Sequence, residues 1–145
     1  MVDQNRSREL REAIEALFFA YRAFTSKADR VLERRGLGRV HHRILYFVAR
    51  NPGISVNGLL GILAISKQAL NVPLRQLITM QLVSTRASPD DRRVRQLQLT
   101  GSGASLEKQL TETQMSLLEE VFRDSGADAE ENWRVIMQRL GRGAR

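Results

Sequence analysis

The first 35 residues carry apolar side chains at alternating steps of four and three positions. The positions are Leu10, Ile14, Leu17, Tyr21, Phe24, Ala28 and Val31. This spacing is typical of one long helix with a heptad stripe on one face. The basic pair before Gly36 predicts where the helix ends. Because the rest of a small domain cannot cover so long a stripe, we expect it to pack against a second chain.

The carboxyl-terminal segment repeats this spacing, at Leu106, Leu110, Thr113, Leu117 and Val121. Gly126 predicts a break, and a final short helix has one side made of Trp133, Ile136, Met137 and Leu140. Packing within one subunit would also explain these positions. We favour an interface, because the two ends together offer more apolar surface than the middle can cover. The predicted dimer interface is Leu10, Ile14, Leu17, Tyr21, Leu117, Val121, Trp133, Ile136 and Leu140.

The middle of the chain is built of shorter periodic segments. Residues Val40–Arg50 have the pattern of a buried helix, and an Asn-Pro-Gly turn signal follows them. Ser55 is a candidate N-cap for a helix through about Leu63, and Ser66 for a second helix through about Leu82. A short helix joined by a tight turn to a longer one is the outline of a helix-turn-helix.

Two runs of alternating apolar and polar residues come next, with apolar or small side chains at Val83, Thr85 and Ala87 and then at Leu97 and Leu99. Such runs around a polar turn predict a β-hairpin, here with residues 88–94 as its tip. The predicted fold class is therefore mainly α with a small β-hairpin (α+β). It is a winged helix-turn-helix with long N- and C-terminal helices.

The excess positive charge lies entirely in the middle of the chain. Residues 36–100 hold nine basic and two acidic side chains, whereas residues 1–35 hold eight and six, and residues 101–145 hold six and eight. The formal net charge is +7. A charge that served only solubility would be spread out. A basic block flanked by nearly neutral segments instead favours a polyanion as partner, and nucleic acid above all.

The composition excludes several kinds of site. The chain has no cysteine, and its two histidines, His41 and His42, are adjacent and would point to different faces of a helix. We therefore predict no metal site, no cofactor and no catalytic residue. No apolar run approaches the ~18 residues of a membrane span, and the amino-terminal segment lacks the apolar region of a signal peptide. We expect a cytoplasmic protein that is associated with the nucleoid when it binds DNA.

The exposed face predicted for the second helix of the helix-turn-helix carries Lys67, Gln68, Asn71, Val72 and Arg75. Glutamine and asparagine can pair with adenine, lysine and arginine with guanine, and valine can contact a thymine methyl group. An ordinary solvated face is the alternative, since these residue types are common at surfaces. The position between a helix-turn signal and a hairpin favours a recognition helix. We expect phosphate contacts from Arg43, Arg75 and Arg95, and a buried opposite face made of Leu70, Leu74, Leu77 and Ile78.

Pro73 lies inside this predicted recognition helix. It removes one backbone hydrogen bond and crowds the carbonyl of Ala69, at a cost of about 3 kcal/mol in an ordinary helix interior. The sequence therefore predicts a kink or an irregular first turn. A kink would adjust the fit of residues 67–71 in the groove, and a tolerated local distortion is the alternative.

The tip of the predicted hairpin places two acids beside two arginines. Arg92 or Arg93 is suited to the narrow, electronegative minor groove next to the recognition helix. Asp91 would brace the tip by pairing with Arg86 on the incoming strand. A solvated tip with surface ion pairs worth under ~1 kcal/mol is the alternative.

The run SPDDRRVRQLQLTGSG resembles the wing signature of the MarR (multiple antibiotic resistance regulator) family of transcription factors. In that signature a D-x-R core precedes a strand that ends in L-T-x-x-G. The matching positions are Asp91, Arg93, Leu99, Thr100 and Gly103. The order of helices and hairpin is similar over essentially the whole chain. The resemblance implies one domain, 1–145, with dimerisation helices at 1–35 and 101–145 and a DNA-binding lobe at 36–100.

The resemblance also implies an obligate homodimer on a pseudo-palindromic site in double-stranded DNA. Repression in this family is commonly relieved by a small ligand, often an aromatic acid or phenol, so a small aromatic effector is a candidate partner. The family's ligand site usually lies between the dimer helices and the DNA-binding lobe, a junction near which Tyr21, His41, His42 and Tyr46 are candidates. Ordinary packing or a phosphate contact is the alternative for each of them. Three residues depart from the family pattern and argue against a typical operator: Gly58, Gly61 and Pro73.

These observations lead to one main hypothesis, a sequence-specific DNA-binding homodimeric regulator of transcription. We expect a repressor that a small molecule relieves. One alternative is a winged-helix module that binds other proteins, and a second is an architectural DNA-binding protein that responds to no ligand. An enzyme is not expected.

Overall fold

A computed structural model describes residues 3–143 of the protein. Within that range the elements are α1 (Gln4–Glu33), α2 (Arg39–Arg50), β1 (Ile54–Ser55), α3 (Val56–Leu63), α4 (Lys67–Thr79), β2 (Val83–Ala87), β3 (Arg95–Leu99), α5 (Gly101–Ser125) and α6 (Ala127–Arg142). The predicted fold class is confirmed: a mainly helical winged helix-turn-helix with long helices at both ends. In the described part of the chain, no helix is long and apolar enough to cross a membrane.

Side-chain caps fix the helix starts. The hydroxyl of Ser55 accepts the backbone N–H of Gly58 at 2.9 Å, and that of Ser66 accepts the N–H of Ala69 at 3.0 Å. Both caps satisfy an amide that has no partner inside its helix. The turn after α1 uses a left-handed residue, Gly36, with φ 71°. Since these signals are local in sequence, the predicted start of each helix in the helix-turn-helix is confirmed.

The sheet has three antiparallel strands in the order β1-β3-β2. In the hairpin, Thr85 lies opposite Leu97, and on the other edge of β3 Leu97 also lies opposite Ile54. Strand β1 was not predicted from the sequence. It has only two residues, too few to show an alternating pattern, and it is defined by its pairing with β3.

The recognition helix α4 ends earlier than predicted. It stops at Thr79 rather than near Leu82, because Gln81 adopts a left-handed conformation with φ 59° that a helix cannot contain. Leu70, Leu74 and Leu77 are buried as predicted, but Ile78 is exposed. The helix continues through Pro73 as one segment of 13 residues, and the cap at Ser66 keeps its first turn regular.

The hydrophobic core lies in the lobe and at the adjoining halves of α1 and α5. It joins Leu32 of α1, Ile44 and Leu45 of α2, and Leu97 of β3 to Leu110 of α5. The amino-terminal half of α1 lies outside this core, and α6 has no buried residue in the described range. The two ends of the chain therefore contribute helices whose apolar faces are largely uncovered.

The first turn of α5 is attached closely to the end of the helix-turn-helix. The Thr100 hydroxyl donates to the carbonyl of Gln81 at 2.6 Å and accepts the N–H of Gly103 at 3.0 Å. The N–H of Thr100 donates to the carbonyl of Leu82 at 3.1 Å. Gly103 leaves room for this approach, because a Cβ there would lie 1.9 Å from the Leu82 carbonyl oxygen.

Candidate nucleic-acid interface

The outer face of α4 presents the side chains expected for a recognition helix. Lys67, Gln68, Asn71, Val72 and Arg75 are all exposed. Val72 is 60% exposed although it is apolar. The face combines hydrogen-bond donors and acceptors with an apolar group, which is the set of groups that reads base edges in a major groove.

The tip of the hairpin is organised by Asp91. Its carboxylate accepts the backbone N–H of Arg93 at 3.0 Å and, at 3.3 Å, the Nε–H of the same residue. These contacts, first the backbone bond and then the side-chain bond, lower the pKa of Asp91. The Arg93 side chain remains 91% exposed. The tip therefore holds a charged guanidinium in a defined orientation while leaving it open to solvent.

The expected brace between Asp91 and Arg86 is not formed, and this part of the sequence interpretation is corrected. The Nε–H of Arg86 donates instead to Oε1 of Gln96 on the neighbouring strand at 3.2 Å. Arg86 and Gln96 are directly opposite each other in the hairpin, so this cross-strand pair forms without any displacement of the tip. Asp91 instead holds Arg93, because a two-residue separation allows the backbone N–H and the guanidinium to bind the same carboxylate.

The remaining predicted basic contacts divide into two groups. Arg92 and Arg95 are exposed at the tip and start of β3. Arg43 is also exposed, but its Nη2 donates to the hydroxyl of Tyr21 at 2.8 Å and thereby links α2 to α1. It lies beside a second link between the same helices, in which the Nε–H and Nη2–H groups of Arg39 donate to Oδ2 of Asp29 at 3.1 and 3.0 Å. Arg43 is therefore placed at a helix junction.

A cavity of about 430 Å³ lies at this junction between α1, α2 and α5. Among the residues that line it are Tyr21, Arg43, Tyr46 and His42. His42 is only 7% exposed, and its Nε2 has no hydrogen-bond partner among the described residues. Burial lowers the pKa of His42, against smaller opposing effects of Glu107 and Asp29. The cavity thus combines a mainly apolar wall with the buried imidazole of His42.

His41 lies away from this cavity and contacts the recognition helix. Its Nε2 is 2.6 Å from Oε1 of Gln76 on α4, and its Nδ1 accepts the N–H of Gly38 at 2.9 Å. Sequence reasoning missed Gln76, since a lone exposed glutamine on a helix has no distinguishing signal. Within residues 3–143, no cluster of three potential metal ligands occurs.

Large apolar side chains are exposed on both terminal helices. On α1 they include Ile14 at 67% and Phe18 at 61% exposure, and on α6 Ile136 at 63%. The predicted interface residues Leu10, Leu17, Tyr21, Val121, Trp133 and Leu140 are exposed as well, and Leu117 is half-buried. The chain exposes 10717 Å² in total, against about 7,500 Å² for a compact monomer of its mass. Contiguous exposed apolar surface of this kind is typical of interaction sites.

Comparisons with known proteins agree with this architecture. A sequence model described as MarR family matches residues 35–94. The chain is 42% identical over 132 residues to the HTH-type transcriptional regulator PetP of Rhodobacter capsulatus, which covers 91% of this chain and 80% of that protein. A crystal structure of a MarR family transcription regulator superposes with a TM-score of 0.78 at 21% identity, over 95% of this chain and 91% of the other. The crystal structure of a mutant MarR from E. coli complexed with operator DNA superposes with a TM-score of 0.71 at 17% identity. This match covers 91% of this chain and 95% of the other.

Proposed function

The chain belongs to the MarR family, a family of transcriptional regulators, and we propose that it acts as a homodimer that binds a pseudo-palindromic operator and represses transcription. The observation that carries the proposal is that one lobe exposes two sets of side chains suited to DNA. Gln68 and Asn71 are exposed on the face of α4, and Arg93 is exposed at the tip of the hairpin that follows α4 in the chain. A winged helix uses these two elements in neighbouring grooves.

The roles of the side chains follow from their chemistry. Lys67, Gln68, Asn71 and Val72 read the major groove. Arg93 enters the minor groove, where the carboxylate of Asp91 reduces the rotamer entropy that binding would otherwise cost. Arg75, Arg92 and Arg95 neutralise phosphates. Arg43 donates to Tyr21 through one N–H, and its remaining donors keep it a candidate for a phosphate contact.

Homodimerisation is supported by the uncovered apolar faces of α1 and α6. An interface that buries 2,000 Å² or more is typical of obligate dimers, and the exposed surface exceeds that of a compact monomer by a comparable amount. In this proposal the end segments 1–35 and 101–145 form the dimer and residues 36–100 form the DNA-binding lobe. Two lobes related by a twofold axis would then read an inverted repeat.

An effector site is supported by the cavity between α1, α2 and α5. Its volume of about 430 Å³ suits a small aromatic molecule, and the guanidinium of Arg43 in its wall offers polar contacts. Because the cavity lies where the dimer helix α1 meets the lobe, a ligand that prefers one arrangement of these helices would change the spacing of the two lobes. In this way a small aromatic acid or phenol would relieve repression.

The test is a selection of bound fragments from the source genome with the purified protein at near-physiological salt. We expect enrichment of inverted repeats with half-sites about one helical turn apart. Diffuse recovery with weak salt dependence would favour the protein-interaction module, and strong but motif-free binding would favour an architectural protein. Adding benzoate or phenol to the complex then tests the effector, since release of the fragment is expected from at least one of these probes.

A further inference from the structure

The two hydrogen bonds of the His41 ring, to Gly38 and to Gln76, define which ring nitrogen carries the proton. Its Nδ1 accepts the N–H of Gly38, the residue that caps α2, at 2.9 Å. A ring nitrogen that accepts a hydrogen bond carries no proton, so the neutral ring holds its proton on Nε2. That proton is donated to Oε1 of Gln76 at 2.6 Å. The start of α2 therefore fixes which side of the Gln76 amide faces His41.

This contact orients the rest of the Gln76 side chain. Because its oxygen is turned toward His41, its NH₂ group points away, and the two N–H donors have no acceptor among the described residues. At 3.6 residues per turn, Gln76 lies about 40° around α4 from Val72. It shares a shallow surface depression with Arg75 and with Gly36 and Leu37 of the α1–α2 turn. Two donors and a guanidinium thus meet in one exposed concave surface.

We propose that the Gln76 amide donates to a phosphate of the DNA backbone at the edge of the major groove, and that His41 is the positioning residue that aims it. The inference rests on the proposed function, in which α4 enters that groove. The first turn of a recognition helix meets base edges, whereas Gln76 lies in the second half of α4 and on its flank. A group that presents only N–H donors suits a phosphate oxygen, and phosphate contacts set orientation rather than sequence preference.

Substitutions at His41 separate its capping role from its positioning role. In His41→Asn the amide oxygen takes the place of Nδ1 and keeps the Gly38 contact, but the side chain is too short to reach Gln76. We expect an unchanged midpoint of urea unfolding and an affinity for the operator that is roughly tenfold weaker per half-site, the size of one lost charge-assisted hydrogen bond. In His41→Gln the longer amide serves both partners, so we expect near-normal affinity.

A double-mutant cycle tests whether His41 acts through Gln76. Gln76→Ala is expected to weaken operator binding about tenfold per half-site, and adding His41→Asn to it should cause no further loss. The same loss should appear on operators of different sequence, because a phosphate contact carries no base preference. Gln109→Ala, at an exposed glutamine on α5, is the matched control and should bind like the wild type.

Three outcomes would overturn the inference. The first is normal affinity of Gln76→Ala while the wild type binds its operator, which leaves the proposed function intact. The second is a loss in Gln76→Ala that varies with base sequence, which would make Gln76 a base reader. The third is a wild-type protein that binds no specific DNA, which would overturn the proposed function and this inference together. Fluorescence anisotropy with a labelled operator distinguishes all three.

Discussion

Asp91 shows how one carboxylate organises the hairpin tip. It accepts both the backbone N–H and the guanidinium of Arg93, and its own carbonyl accepts the N–H of Val94 at 3.0 Å. Local hydrogen bonds of this kind are typical of aspartate in turns. The presence of acids in an otherwise basic segment is thereby explained, because the acid supports the arginine that the proposal sends into the minor groove.

Removal of this support should weaken DNA binding without unfolding the protein. We expect Asp91→Ala to reduce operator affinity roughly threefold to tenfold. In this variant the Arg93 side chain is free before binding, so the entropy of its rotamers is lost when it binds DNA. Asp91→Asn keeps an oxygen for the Arg93 N–H and should lie between the alanine variant and the wild type. Anisotropy titrations measure the affinities, and thermal unfolding should show equal midpoints. Full affinity in Asp91→Ala would contradict this role.

The buried imidazole of His42 should make the protein less stable in acid. Burial lowers its pKa below the ordinary value of 6.5, so the unfolded chain binds the proton more readily than the folded one. The stabilisation is complete above pH 6.5 and is lost progressively as the pH falls toward the folded-state pKa. Urea unfolding at fixed protein concentration should therefore give a lower midpoint at a pH about one unit below the ordinary value than above it.

The matched comparison for this effect uses the other histidine of the chain. His42→Phe removes the titrating group and should flatten the pH dependence of the unfolding midpoint, whereas His41→Gln should keep it. Equal pH dependence in His42→Phe and the wild type would show that other groups cause the acid sensitivity.

Residue chemistry could be predicted from the sequence only where the partners are near along the chain. The caps at Ser55 and Ser66 were predicted correctly, since a cap and its amide are three residues apart. The partner of Asp91 was predicted wrongly, because Arg86 and Arg93 are both within reach of the tip and only the turn geometry decides between them. The contact of His41 with Gln76 joins two helices across 35 positions, and no sequence pattern indicates it.

At the scale of elements, α4 accommodates a proline in an unbroken helix. Pro73 cannot donate a hydrogen bond to the carbonyl of Ala69, yet α4 runs from Lys67 to Thr79. We expect Pro73→Ala to raise the free energy of unfolding by about 1–3 kcal/mol, because it restores a donor and improves helix propensity. Chemical denaturation measures the change. An unchanged order of affinities over a panel of operators would show that Pro73 does not adjust the fit in the groove.

The junction between α4, β2 and α5 should tolerate no side chain at Gly103. A Cβ would lie 1.9 Å from the backbone oxygen of Leu82, and backbone cannot move aside cheaply. We expect Gly103→Ala to destabilise the protein by about 3 kcal/mol or more. Gly101→Ala is the control, because a Cβ there meets no atom within 4 Å, and its thermal midpoint should equal or exceed that of the wild type.

Elements with long periodic patterns could be predicted, and short ones could not. The heptad spacing of α1 and the alternation of β2 and β3 each repeat often enough to identify the element. The two residues of β1 carry no pattern, and the end of α4 depends on the left-handed Gln81, which no residue-type preference indicates. Such features depend on tertiary contacts, which the residue preferences of a short segment do not indicate.

At the scale of the whole molecule, disruption of the exposed stripe should separate the proposed dimer. Ile14 is 67% exposed in the single chain, so a polar substitution there should hardly affect the folding of one chain. It should affect assembly if a second copy covers this side chain. We expect Ile14→Asp to produce monomers at micromolar concentration in sedimentation velocity, and to abolish tight operator binding. Glu15→Gln, at the next exposed position, should remain dimeric. A wild-type protein that sediments as a monomer would contradict the proposal.

The sequence also predicted the large-scale division of charge and apolar surface. The basic excess of residues 36–100 lies in the lobe, and the apolar stripes lie on the terminal helices. How two copies fit together could not be predicted, because a stripe identifies the buried side of a helix but not the orientation or register of its partner.

The attachment of Thr100 and Gly103 to the end of the recognition segment has a mechanical consequence. Helix α5 has 25 residues and is about 37 Å long, and its first turn is bonded to Gln81 and Leu82. Further along the same helix, Leu106 and Leu110 are buried in the core with Leu32 of α1. One continuous helix therefore connects the end of the α4 segment to the terminal helices. A rearrangement of the terminal helices that displaced α5 would be expected to reach α4 through these bonds.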